Sequence, residues 1–194
     1  MAYLRIAEAR AAGQTVRSYL GKSASQILTE DARRTTVRDS YDVFLSHSYK
    51  DAEVILGVRK LIENLGLTVY VDWIDDPGLD RGRVTSATAK VLRERMRQSS
   101  SLVYAHSANA EDSAWMPWEL GYFDGFKPMH IWILPLVAER DSEFSGREYL
   151  GLYPSVEKLS SLAGRLDLGF PDVGEQGVNI PLKEAATGSG VYFR

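Results

Sequence analysis

Cysteine is absent from the 194 residues, so the chain has no disulfide framework, no thiolate nucleophile and no cysteine-based zinc site. Histidine is scarce as well: His47, His106 and His130 lack metal-motif spacing, and no metal is assigned. An excess of positive charge is also missing. Lys and Arg number 23 against 26 Asp and Glu, the formal net charge is -3, and no basic stripe is interleaved with aromatics. A protein dedicated to nucleic acid needs a basic face to displace counterions, so nucleic acid is not expected as a partner. Long hydrophobic runs are the fourth absence. The N-terminus has no apolar stretch of signal-peptide length, and nothing later approaches the roughly 20 apolar residues that span a bilayer. Residues 1–20 contain arginine and few acids, a faint likeness to an organelle transit peptide that Glu8 and a weak apolar face argue against. The expectation is a cytoplasmic protein with no membrane contact.

At 44% hydrophobic and 25% charged, the composition suits one α/β domain with extensions. Residues 1–40 read as a helical arm and linker, with Leu4, Val16, Tyr19, Leu20, Ile27 and Leu28 scattered among Arg and small residues. The main domain is expected over 41–163. Tyr41-Asp-Val-Phe-Leu-Ser46 is a short β-forming run that leads at once into Ser48-Tyr-Lys-Asp51, which has capping-box spacing. Val54, Val58, Leu61, Ile62 and Leu65 then recur at helical spacing up to Gly66, a good C-cap residue. A second strand covers 67–72, and Trp73 to Arg83 is a turn-rich loop around Asp75-Asp76-Pro77-Gly78. Val84 to Gln98 is helical, with Arg93, Arg95 and Arg97 on a solvated face. Ser101–Ala105 and His130–Val137 are strands, the latter apolar throughout, as a strand buried on both faces is. Tyr149–Leu162 is expected to supply a fifth short strand and a helix. Residues 164–194, rich in Gly and Pro, read as an irregular tail docked through Val191–Phe193.

Strands alternating with helices predict a doubly wound parallel sheet of about five strands with right-handed crossovers, and if its order is the flavodoxin-like 2-1-3-4-5 a crevice lies between strands one and three. Ligands in such sheets bind beyond the carboxyl ends of the strands, where the strand order reverses. That crevice would be lined by Ser46–Asp51, Ala105–Ser107 and the start of a helix beginning at Ser113 to Met116, where Pro117 fits a first turn. The helix holds one acid among aromatics, Glu119, four residues after Trp115 and so on the same face. Two readings of the helix stay open. Either the aromatics are core and Glu119 is a first-turn acid favoured by the dipole, or Glu119 faces the crevice as a working carboxylate.

Several chemistries are missing their residues. The first and third strands end in Ser-His and Tyr-Ala-His rather than the acids of a phosphoacceptor, Ser48–Asp51 has no glycine for a phosphate loop, and no Gly-x-Ser-x-Gly elbow occurs. A lone carboxylate is a poor catalyst for ordinary glycosides, which need a second acid for the leaving group. An N-glycosidic bond to a pyridinium differs, because nicotinamide departs neutral. Glu119 would then need only to hold the ribose and stabilise the oxocarbenium-like charge, with N–H groups near Ser48 for a phosphate and Trp115 for ring stacking.

Three stretches carry a family resemblance. Tyr41-Asp-Val-Phe-Leu-Ser-His47 resembles the first-strand box of Toll/interleukin-1 receptor (TIR) domains. Gly66–Asp72 with the loop to Gly82 resembles their second strand and BB loop, and Ser113-Ala-Trp-Met-Pro-Trp-Glu-Leu120 their Ser-x-Trp-Cys-x-x-Glu-Leu box. The match covers about 41–160. In the enzymatic branch the resemblance implies cleavage of NAD between nicotinamide and ribose, with Glu119 catalytic, Trp115 completing the Trp-x-x-x-Glu pattern, and NAD as substrate with no cofactor. It also implies self-association through the BB loop, here Asp75, Asp76, Pro77, Gly78, Leu79 and Arg81. Met116 stands where the box often has Cys, and Pro117-Trp118 makes the turn bulkier than usual.

The residues outside the helix keep two readings each. His47 either caps the next helix or lines the pocket with Ser48; Asp72 either holds the BB loop or touches substrate; Trp73 is either an assembly contact or a base-stacking wall. The leading expectation is an NAD+ glycohydrolase or cyclase of an immune, antiphage-type system, giving ADP-ribose or a cyclic isomer that acts on a separate effector protein. The alternative is a non-enzymatic TIR scaffold that signals by self-association.

Overall fold

The apolar runs become strands, and five of them, Leu4–Arg5 (β1), Tyr41–Ser46 (β2), Val69–Tyr70 (β3), Ser99–His106 (β4) and Ile131–Val137 (β5), form one sheet in the order β1-β5-β4-β2-β3. Every pairing in it is parallel. The computed structural model describes residues 2–20, 40–76, 85–138, 144, 146–159, 166–174 and 177–188. The four strands expected in the main domain are β2 to β5, and they take the expected positions 2-1-3-4. Pleating then divides the side chains. Val43, Leu45, Val103 and Ala105 pack on one face with Val54, Ile55, Val58 and Ile62 of helix α2 (Ala52–Asn64). Phe44, Leu102 and Tyr104 pack on the other with Leu92 and Met96 of α4 (Ser86–Gln98) and Met116, Leu120 and Phe123 of α5 (Trp115–Asp124). Gly66 ends α2 at φ 84°, the left-handed position expected of it.

The fifth position corrects the sequence reading. It is filled by β1 from the N-terminus, whose Leu4 pairs with Leu136, and not by a strand from Tyr149–Leu162. That later segment makes a single parallel bridge, Ser155 to Ile133, and no more of the ladder, since Pro154 has no N–H to extend it. The arm is thus part of the sheet. Helix α1 (Ile6–Leu20) follows β1 directly and lies on α2, with Gly57 giving it room: a Cβ there would sit 1.7 Å from the Ala9 carbonyl oxygen.

The tail expected to be irregular, 164–194, is ordered where it is described, and it pairs with a short strand from the segment before it. Glu157–Leu159 (β6), Asp167–Val173 (β7) and Val178–Pro181 (β8) form an antiparallel sheet, and Leu182–Thr187 (α6) follows. Leu168, Phe170, Leu182, Ala185 and Ala186 are buried in the core on the α2 face, so the tail's few apolar residues are spent on closing it. The N-terminal segment is tied to β6. Lys158 N–H donates to Ala2 O at 2.7 Å, and its ammonium lies 3.0 Å from both Glu8 carboxylate oxygens. Burial opposes ionisation of Glu8, but the Arg5 side chain and N–H together with Lys158 bring its carboxyl down to about 2. Residues 21–39, with the expected boundary at 40, and Val191–Phe193 lie outside the described residues.

Candidate active site

Ser46 closes β2 and pairs in register with Tyr104 of β4 at the carboxyl end of the sheet, on the face covered by α5. Helix α5 starts at Trp115, one residue after its cap position Ala114, and the Ser113 hydroxyl accepts the Met116 N–H at 3.3 Å. With this phase Trp115, Glu119 and Phe123 point inward. Glu119 is completely buried, and its carboxylate accepts a hydrogen bond of 2.6 Å from the Ser46 hydroxyl. An ionised carboxylate is costly to bury without such a donor. The pair therefore joins the first strand to the acid of the helix at the point of strand-order reversal, where the sequence located the crevice.

The loops above the pair are bonded across the same point. Asp51 accepts from the Ser107 hydroxyl and from Asn109 Nδ2, and the exposed Lys50 ammonium meets Asp112 at 2.7 Å. This overturns the capping box. Ser48 makes no side-chain cap, because the Asp51 carboxylate is drawn to Ser107 and Asn109 instead of turning back on its own helix. Beyond Tyr104, His106 rests against Tyr104 and the edge of Phe144, and burial pushes its imidazole pKa down. Burial, then the neighbouring Tyr149 and Glu119, raise the Tyr104 hydroxyl well above the phenolic range.

The other expected site residues are distributed differently. His47 Nδ1 lies 2.8 Å from Leu45 O, which can only accept, so Nδ1 carries the proton; Nε2 faces Asp72 Oδ1 at 3.5 Å. His47 and Asp72, both 1% exposed, are therefore brought to each other. Trp115 is buried in the core, edge-on to Trp118 at 5.4 Å, and offers no free ring face for stacking. Trp118 faces outward instead, stacked on Tyr122 with the Arg93 guanidinium 5.3 Å above its ring. Trp73 lies in a short helix, α3 (Asp72–Asp75), where a loop was expected.

Asp75 and Asp76, expected on an assembly surface, both turn inward. Asp75 accepts the Val71 N–H at 2.7 Å. Asp76 takes Arg95 in a two-pronged pair, Nε–Oδ2 2.8 Å and Nη2–Oδ1 3.0 Å, and also the Tyr70 hydroxyl at 2.9 Å. Arg95 is accordingly not on a solvated face. The i,i+2 spacing of three arginines concealed the one that turns in, and only the acid-rich turn 19 residues earlier hinted at a partner. Pro77, Gly78, Leu79 and Arg81 lie outside the described residues.

Burial raises the Asp75 carboxyl to about 6, against the Val71 N–H and Arg59, which act to lower it. A raised carboxyl contributes stability that is complete below the unfolded value of about 4 and is lost as the pH rises through about 6. Asp75→Asn keeps the acceptor for Val71 without the charge. It is expected to raise the melting temperature at pH 7.5 and to flatten its dependence between pH 4 and 6; thermal unfolding across that range checks this, and an unchanged profile refutes it.

Among the described residues no group of three or more His, Asp or Glu is placed to hold a metal ion, and no helix is long and apolar enough to cross a membrane. No family model matches the chain. It is 50% identical over 138 residues, 71% of each chain, to "Probable 3' cyclic ADP-D-ribose synthase ThsB'" of Bacillus cereus (strain MSX-D12). It is 41% identical over 83 residues to "Putative cyclic ADP-D-ribose synthase TIR2" of Cytobacillus dafuensis, a match covering 42% of this chain and 22% of that protein. Among solved structures, the TIR domain of the Toll-related receptor TRR-2 of Hydra magnipapillata aligns over 60% of this chain and 84% of its own, with TM-score 0.43 and 20% identity.

Proposed function

The chain belongs to the bacterial TIR domain proteins, and on that premise we propose that it cleaves NAD+ between nicotinamide and ribose and closes the ADP-ribosyl group into a cyclic product. The observation that carries the proposal is the buried Glu119 carboxylate held by the Ser46 hydroxyl at the strand ends. Its two relatives' names add the product class.

The chemistry asked of the site is modest. The bond from ribose C1 to the pyridinium nitrogen breaks with its electron pair leaving on nicotinamide, which departs neutral. Glu119 stabilises the cation left on the ribose, and Ser46 fixes the carboxylate so that no reorganisation is needed as charge develops. A hydroxyl of the same molecule then attacks C1 and passes its proton to Glu119, giving one nicotinamide, one cyclic product and one proton per NAD+. Capture by water instead gives ADP-ribose. We include self-association through the TIR domain and a separate effector that responds to the product.

The complete burial of Glu119 favours a second reading, a scaffold in which the acid is structural. Nicotinamide release from NAD+ by concentrated protein with a crowding agent, with products identified by mass, separates the two. A cyclic ADP-ribose among the products is the expected result. No release from folded, crowded protein overturns the enzymatic reading.

A further inference from the structure

Asp51 stands at the cap position of α2, where a carboxylate ordinarily accepts the first free N–H groups of its own helix, and it makes no such bond. Its oxygens are taken from the far side of the crevice instead. One accepts the Ser107 hydroxyl and the other accepts Asn109 Nδ2 at 2.6 Å, so both oxygens of a buried acid are bonded to the connection between β4 and α5. The Ser107 hydroxyl is used twice, since it also accepts the Asn109 N–H at 3.1 Å. From there a hydrogen-bonded path runs to α5. The turn Ala108–Asp112 is closed by Ala110 N–H to Ser107 O at 3.0 Å and by Ser113 N–H to Ala110 O at 3.1 Å, and the Ser113 hydroxyl takes the Met116 N–H in the first turn of α5. On the other side, Asp51 N–H donates to Ser48 O at 3.0 Å, two residues after Ser46. The clamp thus joins the segment that carries Ser46 to the segment that leads into Glu119.

We propose that Asp51 is a positioning residue for Glu119: by holding Ser107 and Asn109 it fixes where α5 begins relative to the end of β2, and so keeps the Glu119 carboxylate against the Ser46 hydroxyl. The inference rests on the NAD+-cleaving reading above. Met116, Leu120 and Phe123 hold α5 in the core by apolar contact, which is non-directional, so directional bonds at its entry are what fix the helix along its axis. A small shift matters here. The Ser46–Glu119 bond, 2.6 Å in the structure, ceases to be a good hydrogen bond beyond about 3.2 Å. A carboxylate freed from that donor has to reorganise as charge develops on the ribose, and the benefit of a preorganised site is lost. Capping α2 with the Asp51 carboxylate would stabilise that helix. Sending it across the crevice forgoes that stabilisation, and what it secures is the entry to α5. Asp51 acts through Ser107 and Asn109, not on the substrate.

The test measures kcat and KM for nicotinamide release from NAD+ by the full chain, concentrated and crowded. Asp51→Ala removes both ties. Misplacing a reacting group by about 1 Å costs roughly a hundredfold, so kcat is expected to fall by about that factor while KM stays within about threefold. Ser107→Ala and Asn109→Ala each remove one tie and are expected to lower kcat about tenfold; they read the same effect should Asp51→Ala fail to fold. The exchange Asp51→Asn with Asn109→Asp restores an amide-to-carboxylate bond between the same two positions. It is expected to recover most of the kcat that Asp51→Asn alone loses, which a merely structural role for the acid would not produce. A wild-type kcat in the folded variants overturns the proposal. So does a rise in KM with kcat intact, because Asp51 would then bind substrate. A loss that the exchange does not recover also overturns it, since the carboxylate would then be needed at position 51 itself. A wild type that releases no nicotinamide refutes instead the NAD+-cleaving reading beneath it.

Discussion

Glu119→Gln is expected to reduce nicotinamide release by at least about a hundredfold while the melting temperature stays close to that of the wild type. Glutamine has the same shape, and its carbonyl oxygen still accepts from the Ser46 hydroxyl, so the 2.6 Å bond and the packing of α5 survive. What disappears is the negative charge. In a site with no exposure to water, a fixed charge beside a developing cation is worth several kcal/mol, and the loss of even one neutral donor from such a site costs about a hundredfold or more. The amide also cannot take the proton from the attacking hydroxyl. The measurement is the initial rate of nicotinamide release at saturating NAD+, beside a thermal melt of each protein. A variant as fast as the wild type removes Glu119 from the chemistry, and a variant that is slow because it melts early would leave the carboxylate as a structural group.

The position of the Ser46–Glu119 pair is legible in the sequence. The strand-helix alternation predicts the parallel sheet, and with a flavodoxin-like order the switch-point rule leads to Ser46, Ser107 and the start of α5 without reference to Glu119; the structure joins Ser46 to Glu119 and Asp51 to Ser107 at that place. The failures share a physical cause. Asp75 and Asp76 are expected on an assembly surface because polar residues after a strand usually are, but each is satisfied by a backbone group or by a partner distant in sequence, which periodicity does not encode. Arg95 belongs with them. The burial of Trp115 is not legible because an all-round aromatic helix has almost no amphipathic signal to set its rotation. The N-terminal strand was illegible for a simpler reason: Leu4–Arg5 is two residues long, and its membership of the sheet is decided by the free edge of β5.

Gly57→Ala tests that last point and is expected to be the most destabilising single methyl in the chain's helices. Its Cβ would lie 1.7 Å from the Ala9 oxygen and 2.5 Å from the Ala9 carbon, both backbone atoms that no rotamer change can move. Helix α1 would have to lift from α2 bodily. Lifting α1 withdraws what it anchors: Ala9 and Leu4, both 0% exposed, the Leu4–Leu136 pairing, and the ion pair of Glu8 with Lys158. Overpacking of this kind costs roughly 3 kcal/mol, or a fall of about 10 °C in melting temperature for a chain of this size. Two other glycines supply the scale. At Gly13 the nearest atoms would be 3.3 Å away and the cost should be smaller, while at Gly121 nothing lies within 4 Å, so alanine there should stabilise α5 by about 0.5–1 kcal/mol through helix propensity alone. Thermal melts of the three alanine variants should therefore fall in the order Gly121, Gly13, Gly57 from highest to lowest. A Gly57→Ala protein that melts with the wild type would mean that α1 is not held against α2, and that the sheet edge at β5 is completed by something other than Leu4–Arg5.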